Sequence, residues 1–295
     1  MTDVATVTGV DSPLGTFLCP PGFAAPRGLG AIAREGSAVT EAARFLGRTV
    51  RDRLGCRQMP PHGDRQGGQD PVVLVPGFMA GDGSLGLMAR HLRGLGHRTY
   101  RSTMHANVGC TREATEVLER RVEGVAAKRD RKVTIIGHSL GGLLARGLAA
   151  RRPDLVDGIV VLGSPLLAPG AAHRLLLLDV ALVVRLRQVA LGGMMGADCT
   201  SGECARSSWE AARAPLAREV AFTSVFSRRD GIIDWRGCLD PQAKTVEVRT
   251  SHLGMAFDPV VLDVVAATLA ANRERRDRTI SRQATLAEVP HASAG

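Results

Sequence analysis

A serine in the pentapeptide Gly137-His138-Ser139-Leu140-Gly141 has surroundings that can turn a hydroxyl into a nucleophile. Residues 133–136, rich in β-branched side chains, read as a strand and residues 140–150 read as a helix, so the motif falls on a strand-to-helix turn. Side chains flanking so sharp a turn would collide with strand and helix, and glycine at 137 and 141 removes that collision. Ser139 is then presented at a sheet edge and at a helix N-terminus, where backbone N–H groups and the helix dipole favour negative charge. The chemistry this predicts is attack on an acyl carbon through a covalent intermediate.

A neutral serine needs a base, and the base needs an acid that orients it. His252 lies in the loop directly after the last expected strand, residues 245–248, and among eight histidines it alone lies in that loop. Asp230, in Ser227-Arg228-Arg229-Asp230-Gly231, follows the strand expected at 220–226. Asp234 is the rival acid, four residues later. The chain order serine, acid, histidine puts all three at carboxyl ends of strands. An oxyanion also needs two N–H donors. Leu140 supplies one; the other comes from the loop Pro76-Gly77-Phe78-Met79, through Phe78 or, alternatively, Met79. His138 is expected to point back into packing, and His105 and His173 are candidates for the pocket or the surface.

The elements that must hold these residues follow from hydrophobic periodicity. Strands are expected at 72–75, 97–101, 133–136, 159–162, 220–226 and 245–248, and helices at 84–95, 111–129, 140–150 and 259–271. Strands alternating with helices predict an α/β fold: a mostly parallel central sheet with helices on both faces. Short, fully apolar strands fit burial on both sides. Residues 164–215 interrupt the alternation and are too long for a connection, so they read as a helical cap. Its leucine-rich part, 175–178 and 180–184, suggests either a hydrophobic lid over an apolar acyl group or a plain amphipathic cap helix. Met79, Leu166 and Leu176 are the candidate pocket-wall residues. Around this catalytic domain, residues 71–272, lie an N-terminal extension (1–70) and a charged, disordered tail (273–295). The extension holds an amphipathic helix at 37–54, placed either on the domain or on a membrane surface, and a Pro- and Gly-rich linker at 59–70.

Composition excludes more than it selects. The chain has 295 residues, is 44% hydrophobic and has a net charge of +9, almost all from scattered arginine. Scattered charge without a nucleic-acid-binding motif argues against a nucleic-acid partner. Gly81, Gly83 and Gly86 have the spacing of a dinucleotide fingerprint, but they lie several residues past the strand and no acid ends the next one. A flexible oxyanion loop explains them better. The six cysteines include no Cys-x-x-Cys pair, so no zinc motif is present; Cys199 and Cys204 are close enough to form a small loop if oxidised. No metal or organic cofactor is implied. No apolar run follows a charged start, which predicts a cytoplasmic protein, with the N-terminal helix as the candidate for peripheral membrane contact. Oligomeric state leaves no signature.

These motifs carry a resemblance. Pro76-Gly77-Phe78, Gly137-His138-Ser139-Leu140-Gly141-Gly142, Ser227-Arg228-Arg229-Asp230 and His252-Leu253-Gly254-Met255 resemble the oxyanion loop, nucleophile elbow, acid loop and histidine loop of the α/β-hydrolase superfamily, bacterial triacylglycerol lipases and esterases in particular. The resemblance spans roughly residues 70–271. It implies a serine hydrolase acting on a small-molecule or lipid carboxylic ester through Ser139, His252 and Asp230. The Gly-His-Ser-Leu-Gly-Gly form also occurs in thioesterases and acyltransferases, which remain alternatives, as does a non-catalytic protein on the same fold. The first 70 residues and residues 164–215 match no lipase feature.

Overall fold

The computed structural model describes residues 12–53, 70–189 and 193–287. Two helices come first, α1 (Gly28–Glu35) and α2 (Ala38–Arg53). The alternating part then runs β1 (Pro71–Val75), α3 (Gly86–Gly94), β2 (Arg98–Arg101), α4 (Thr111–Arg129), β3 (Val133–His138), α5 (Leu140–Arg151) and β4 (Val156–Leu162). Three helices follow: α6 (Arg174–Gln188), α7 (Asp198–Ser201) and α8 (Glu203–Arg213). The chain returns through β5 (Ala221–Phe226) and β6 (Lys244–Glu247) to α9 (Pro259–Ala287).

The six strands form one sheet in the order β2-β1-β3-β4-β5-β6, parallel throughout. Burial follows that order. Every residue of β1, β3 and β5 is buried, whereas the edge strands β2 and β6 are polar and partly exposed. Alternation along each strand sorts the core into two layers. Val73, Val75, Ile135, Ile159 and Val161 pack with Leu118 and Val122 of α4 and Leu144 and Leu148 of α5. Val72, Leu74, Ile136, Val160 and Leu162 pack with Met88 and Leu92 of α3 and Val261 and Val265 of α9. The continuous apolar runs that identified the strands are thus the consequence of having helices on both sides.

Two elements depart from the sequence expectation. α1 lies in a stretch without visible periodicity, because Gly28 and Gly30 weaken its helical signal. α9 does not end at residue 271 but continues to Ala287, into what composition suggested was a disordered tail. Side-chain pairing explains the extension. Arg276 reaches back to Asp70 (2.7 Å) and Asp157 (2.6 Å), and Arg273–Asp277 and Glu274–Arg278 pair along the helix. The linker expected at 59–70 lies outside the described residues except for Asp70. Among the described residues, no helix is long and apolar enough to cross a membrane.

Of the two placements open to α2, the structure shows the first. Phe45 joins the core layer beneath α3 and α9, and Arg48 pairs with Asp263 of α9 at 2.8 Å. Val39, Leu46 and Val50 remain exposed on its outer side.

Candidate active site

Ser139 occupies the turn between β3 and α5 with φ 51° and ψ −119°. A non-glycine residue at positive φ costs about 1–3 kcal/mol and persists only where its surroundings impose it. Here the imposition is steric. A Cβ at Gly137 would lie 2.5 Å from the Gly141 carbonyl oxygen, and one at Gly141 would strike the carbonyls of Val75 and Pro76. The sheet extends past the formal strand ends at this edge, through Ser139 N–H to the Leu162 carbonyl (2.8 Å), Gly163 N–H to Val225 (2.9 Å) and Val248 N–H to Phe226 (2.8 Å). Those bonds set the loops after β3, β4, β5 and β6 side by side.

His252 and Asp230 meet there. Nδ1 of His252 lies 2.6 Å from Oδ2 of Asp230, both side chains being almost fully buried. An ionised carboxylate only accepts hydrogen bonds, so Nδ1 carries the proton and Nε2 has a free lone pair. The other oxygen, Oδ1, accepts from the amides of Ile232 and Ile233, each at 2.8 Å, which fixes the carboxylate plane. Burial alone would lower the pKa of His252; the Asp230 carboxylate, helped by the charge of Glu35, overcomes this and holds it above its ordinary value. Asp234, the rival acid, is engaged elsewhere: it accepts from the amides of Ala24 (2.9 Å) and Arg236 (3.1 Å). Gly163 (φ +54°) lies beneath the imidazole, and a Cβ there would stand 3.1 Å from Nδ1.

His138 has a definite partner. Its Nε2 lies 3.0 Å from the His252 carbonyl oxygen and its ring centroid is 5.0 Å from that of His252. The carbonyl can only accept, so Nε2 bears the proton. Burial, reinforced by the neighbouring His252 charge, lowers its pKa to about 4, so the ring is neutral at neutral pH. His173 accepts from the Leu175 amide with Nδ1 and caps the start of α6. His105 is an exposed residue whose carbonyl packs against Gly81.

The oxyanion candidates separate by their backbone. The Met79 amide donates to the Asn107 carbonyl at 3.2 Å and is occupied. The Phe78 amide makes no hydrogen bond among the described residues, and Leu140 opens α5, so its N–H has no intrahelical acceptor. Ser139, Leu140 and Phe78 share a cavity of about 190 Å³ with Leu143, Leu176, Val180 and Trp209. Two of the three expected wall residues are elsewhere. Met79 is 54% exposed, turned outward by its left-handed backbone (φ 58°), and Leu166 is fully buried in the core layer packed by α4 and α5. Leu176, on the inner side of α6, lines the cavity.

Three features had no sequence signal. Leu14 and Leu18 of the N-terminal extension line the same cavity. Glu35 and Glu41 bond to the acid and histidine loops across about 200 residues of chain, where no motif spacing can operate. Cys110 meets the neighbouring pair Cys199 and Cys204 from a distant part of the chain, bringing three sulfurs within 4.8 Å. The sulfurs of Cys110 and Cys204 lie 3.5 Å apart. The cysteines of the described residues are all free thiols.

Residues 70–184 match the α/β hydrolase fold family. That stretch contains the Ser139 turn and ends before the acid and histidine loops. Among solved structures, the mature form of the lipase BlEst2 of Bacillus licheniformis is similar with a TM-score of 0.56 at 13% identity, over 72% of this chain and 96% of that one. The propeptide form of the same lipase gives 0.53 at 13% identity, over 70% of this chain and 50% of that one. No curated protein matches the sequence. The chain therefore has the α/β-hydrolase fold, and it resembles bacterial lipases in structure.

Proposed function

We propose that this chain is a serine hydrolase of carboxylic esters with an apolar acyl group. The observation that carries the reading is the 2.6 Å contact of His252 Nδ1 with Asp230, at the sheet edge where a strained Ser139 faces an apolar cavity. In this reading the cavity seats the acyl chain against Leu143, Leu176 and Val180. His252 Nε2 takes the Ser139 proton as Oγ attacks the acyl carbon, and Asp230 stabilises the imidazolium that forms. The amides of Phe78 and Leu140 receive the oxyanion, a contribution of about 3–4 kcal/mol for one such donor. The alkoxide leaves with the proton from His252, and water then repeats the sequence on the acyl-enzyme.

The test is hydrolysis of p-nitrophenyl esters from acetyl to palmitoyl by wild type and Ser139→Ala. Turnover that collapses in the variant, with acyl preference beyond acetyl, is the expected result. Wild-type protein that cleaves none of the series and is not labelled at Ser139 by a fluorophosphonate would overturn the reading.

A further inference from the structure

The loops that carry Asp230 and His252 are not held by the sheet alone. Glu35, the last residue of α1, places Oε1 2.8 Å from the Gly231 amide and 2.9 Å from the His252 amide, and Oε2 3.0 Å from the Leu253 amide. One carboxylate thus accepts from the residue after the acid, from the histidine itself and from the residue after it. Glu41, in the first turn of α2 and 1% exposed, accepts from the Ser251 amide (2.9 Å) and the Ser251 hydroxyl (2.6 Å). Its burial would raise its pKa, but these bonds, with that from the Ser37 hydroxyl (2.9 Å), hold it below the ordinary value, so it is ionised.

Two glycines in the triad loops make this approach possible. A Cβ at Gly254 would occupy the space of the Glu41 carboxylate, and one at Gly231 would strike the Ala31 carbonyl of α1 and stand 3.1 Å from Glu35 Oε1. The chemistry of the triad does not require glycine at either place. Docking of the N-terminal helices does.

We propose that Glu35 and Glu41 are positioning residues of the active site: buried carboxylates from a helical pair outside the hydrolase match, which fix the acid loop and the histidine loop relative to one another. The proposal rests on the Ser139–His252–Asp230 reading. Charge-assisted bonds to three consecutive amides, 251 to 253, define the backbone from which His252 projects. Glu35 also adds a second negative charge beside the imidazole. The charged and titratable groups around His252 are Asp230 on the acid loop, Glu35 on α1 and His138 on β3. Glu41 reaches its loop through Ser251, Arg34 lies against the Asp230 carbonyl (3.5 Å), and Asp258 pairs with Arg44 at the loop's end (3.0 Å). Of these, Asp230 and Glu35 favour the imidazolium.

The experiment compares Glu35→Gln and Glu41→Gln with wild type, using the best p-nitrophenyl ester and fluorophosphonate titration to count live sites. In parallel, the His252 Cε1–H signal, assigned with His252→Gln, is titrated by NMR. Expected for Glu35→Gln are a kcat about tenfold to a hundredfold lower with KM within twofold, and a downward displacement of both the His252 midpoint and the acid limb of kcat/KM. Glu41→Gln is expected to lower kcat with the His252 midpoint unmoved. Folded variants with wild-type kcat, and a Glu35→Gln midpoint equal to wild type, would overturn the proposal and leave the two carboxylates as ordinary docking contacts. Should Glu35→Gln not accumulate as folded protein, Glu41→Gln decides alone: it retains all three Glu35 amide bonds, and an unchanged kcat overturns the proposal. Failure of the triad reading is separable, because it shows as wild-type protein that neither turns over ester nor labels at Ser139, whatever the His252 titration gives.

Discussion

At the scale of single residues, the environment of each ionisable group assigns its part. Asp230 and Asp234 are four residues apart and both buried, yet one faces the imidazole and the other the amides of Ala24 and Arg236. Asp230→Asn is therefore expected to lower kcat by about 10⁴, the scale seen when a triad acid loses its charge. Asp234→Asn is expected to change kcat by less than tenfold; steady-state kinetics on one ester compares the two. The pH profile carries a second expectation. In the proposed mechanism His252 is a base only when neutral, and its pKa is raised above the usual value of 6.5. The acid limb of kcat/KM should accordingly have its midpoint above 6.5, and a midpoint at or below that value contradicts the assignment. The residue types themselves were readable: serine between glycines after a strand, and a histidine after the last strand. Which aspartate turns toward the histidine was not, because both follow β5 and the choice lies in loop conformation. The amide of Met79 is an equally local matter. Its left-handed backbone gives the N–H to Asn107 and points the side chain outward, a decision of two dihedral angles that residue type does not reveal.

At the scale of elements, the question is what holds the scaffold at the strand ends in one arrangement. Arg146 of α5 is completely buried, 3.5 Å from Asp240, with its guanidinium 2.7 Å from Gln242 and over the Phe222 ring at 5.3 Å. It ties α5, the helix that begins directly after Ser139, to the connection between β5 and β6. Removing one partner of a buried pair leaves the other charge uncompensated, so Arg146→Ala is expected to destabilise the fold by about 3–5 kcal/mol. Urea unfolding followed by circular dichroism measures this, and a loss under about 1 kcal/mol would show that the site relaxes around Asp240. Most elements were legible because their cause is burial: a strand covered on both faces must be apolar, and a helix lying on the sheet must repeat at helical spacing. α1 was not legible, since two glycines in eight residues mask its pattern and its stability comes from docking. The length of α9 was hidden for the opposite reason. Past residue 271 it runs through a charged stretch, 273–278, and Arg276 is drawn back to Asp70 and Asp157 on other elements.

At the scale of the whole molecule, the two histidines of the site act on stability in opposite directions. His138 has its folded pKa lowered from 6.5 to about 4, so between those values the unfolded chain binds the extra proton. Stability falls as pH drops through that window, by about 3 kcal/mol at most. His252, whose folded pKa is raised, contributes stability that is present below pH 6.5 and is lost as pH climbs through the folded pKa. Chemical unfolding at pH 7, 5.5 and 4 should show the acid loss, and His138→Gln should flatten it; an unflattened profile would place the loss at the carboxylates. What the sequence determined by itself was the alternating α/β plan, the strand-to-helix turn with its serine, and the order of acid and histidine along the chain. These depend on periodicity and on local sterics, which operate over a few residues. Tertiary structure alone decided the rest: the orientation of Asp230, the walls of the cavity, the joining of three cysteines, and the seat of Glu35 and Glu41 against loops about 200 residues away. Those contacts are made by side chains and amides from distant segments, and their geometry exists only once the sheet has brought the segments together.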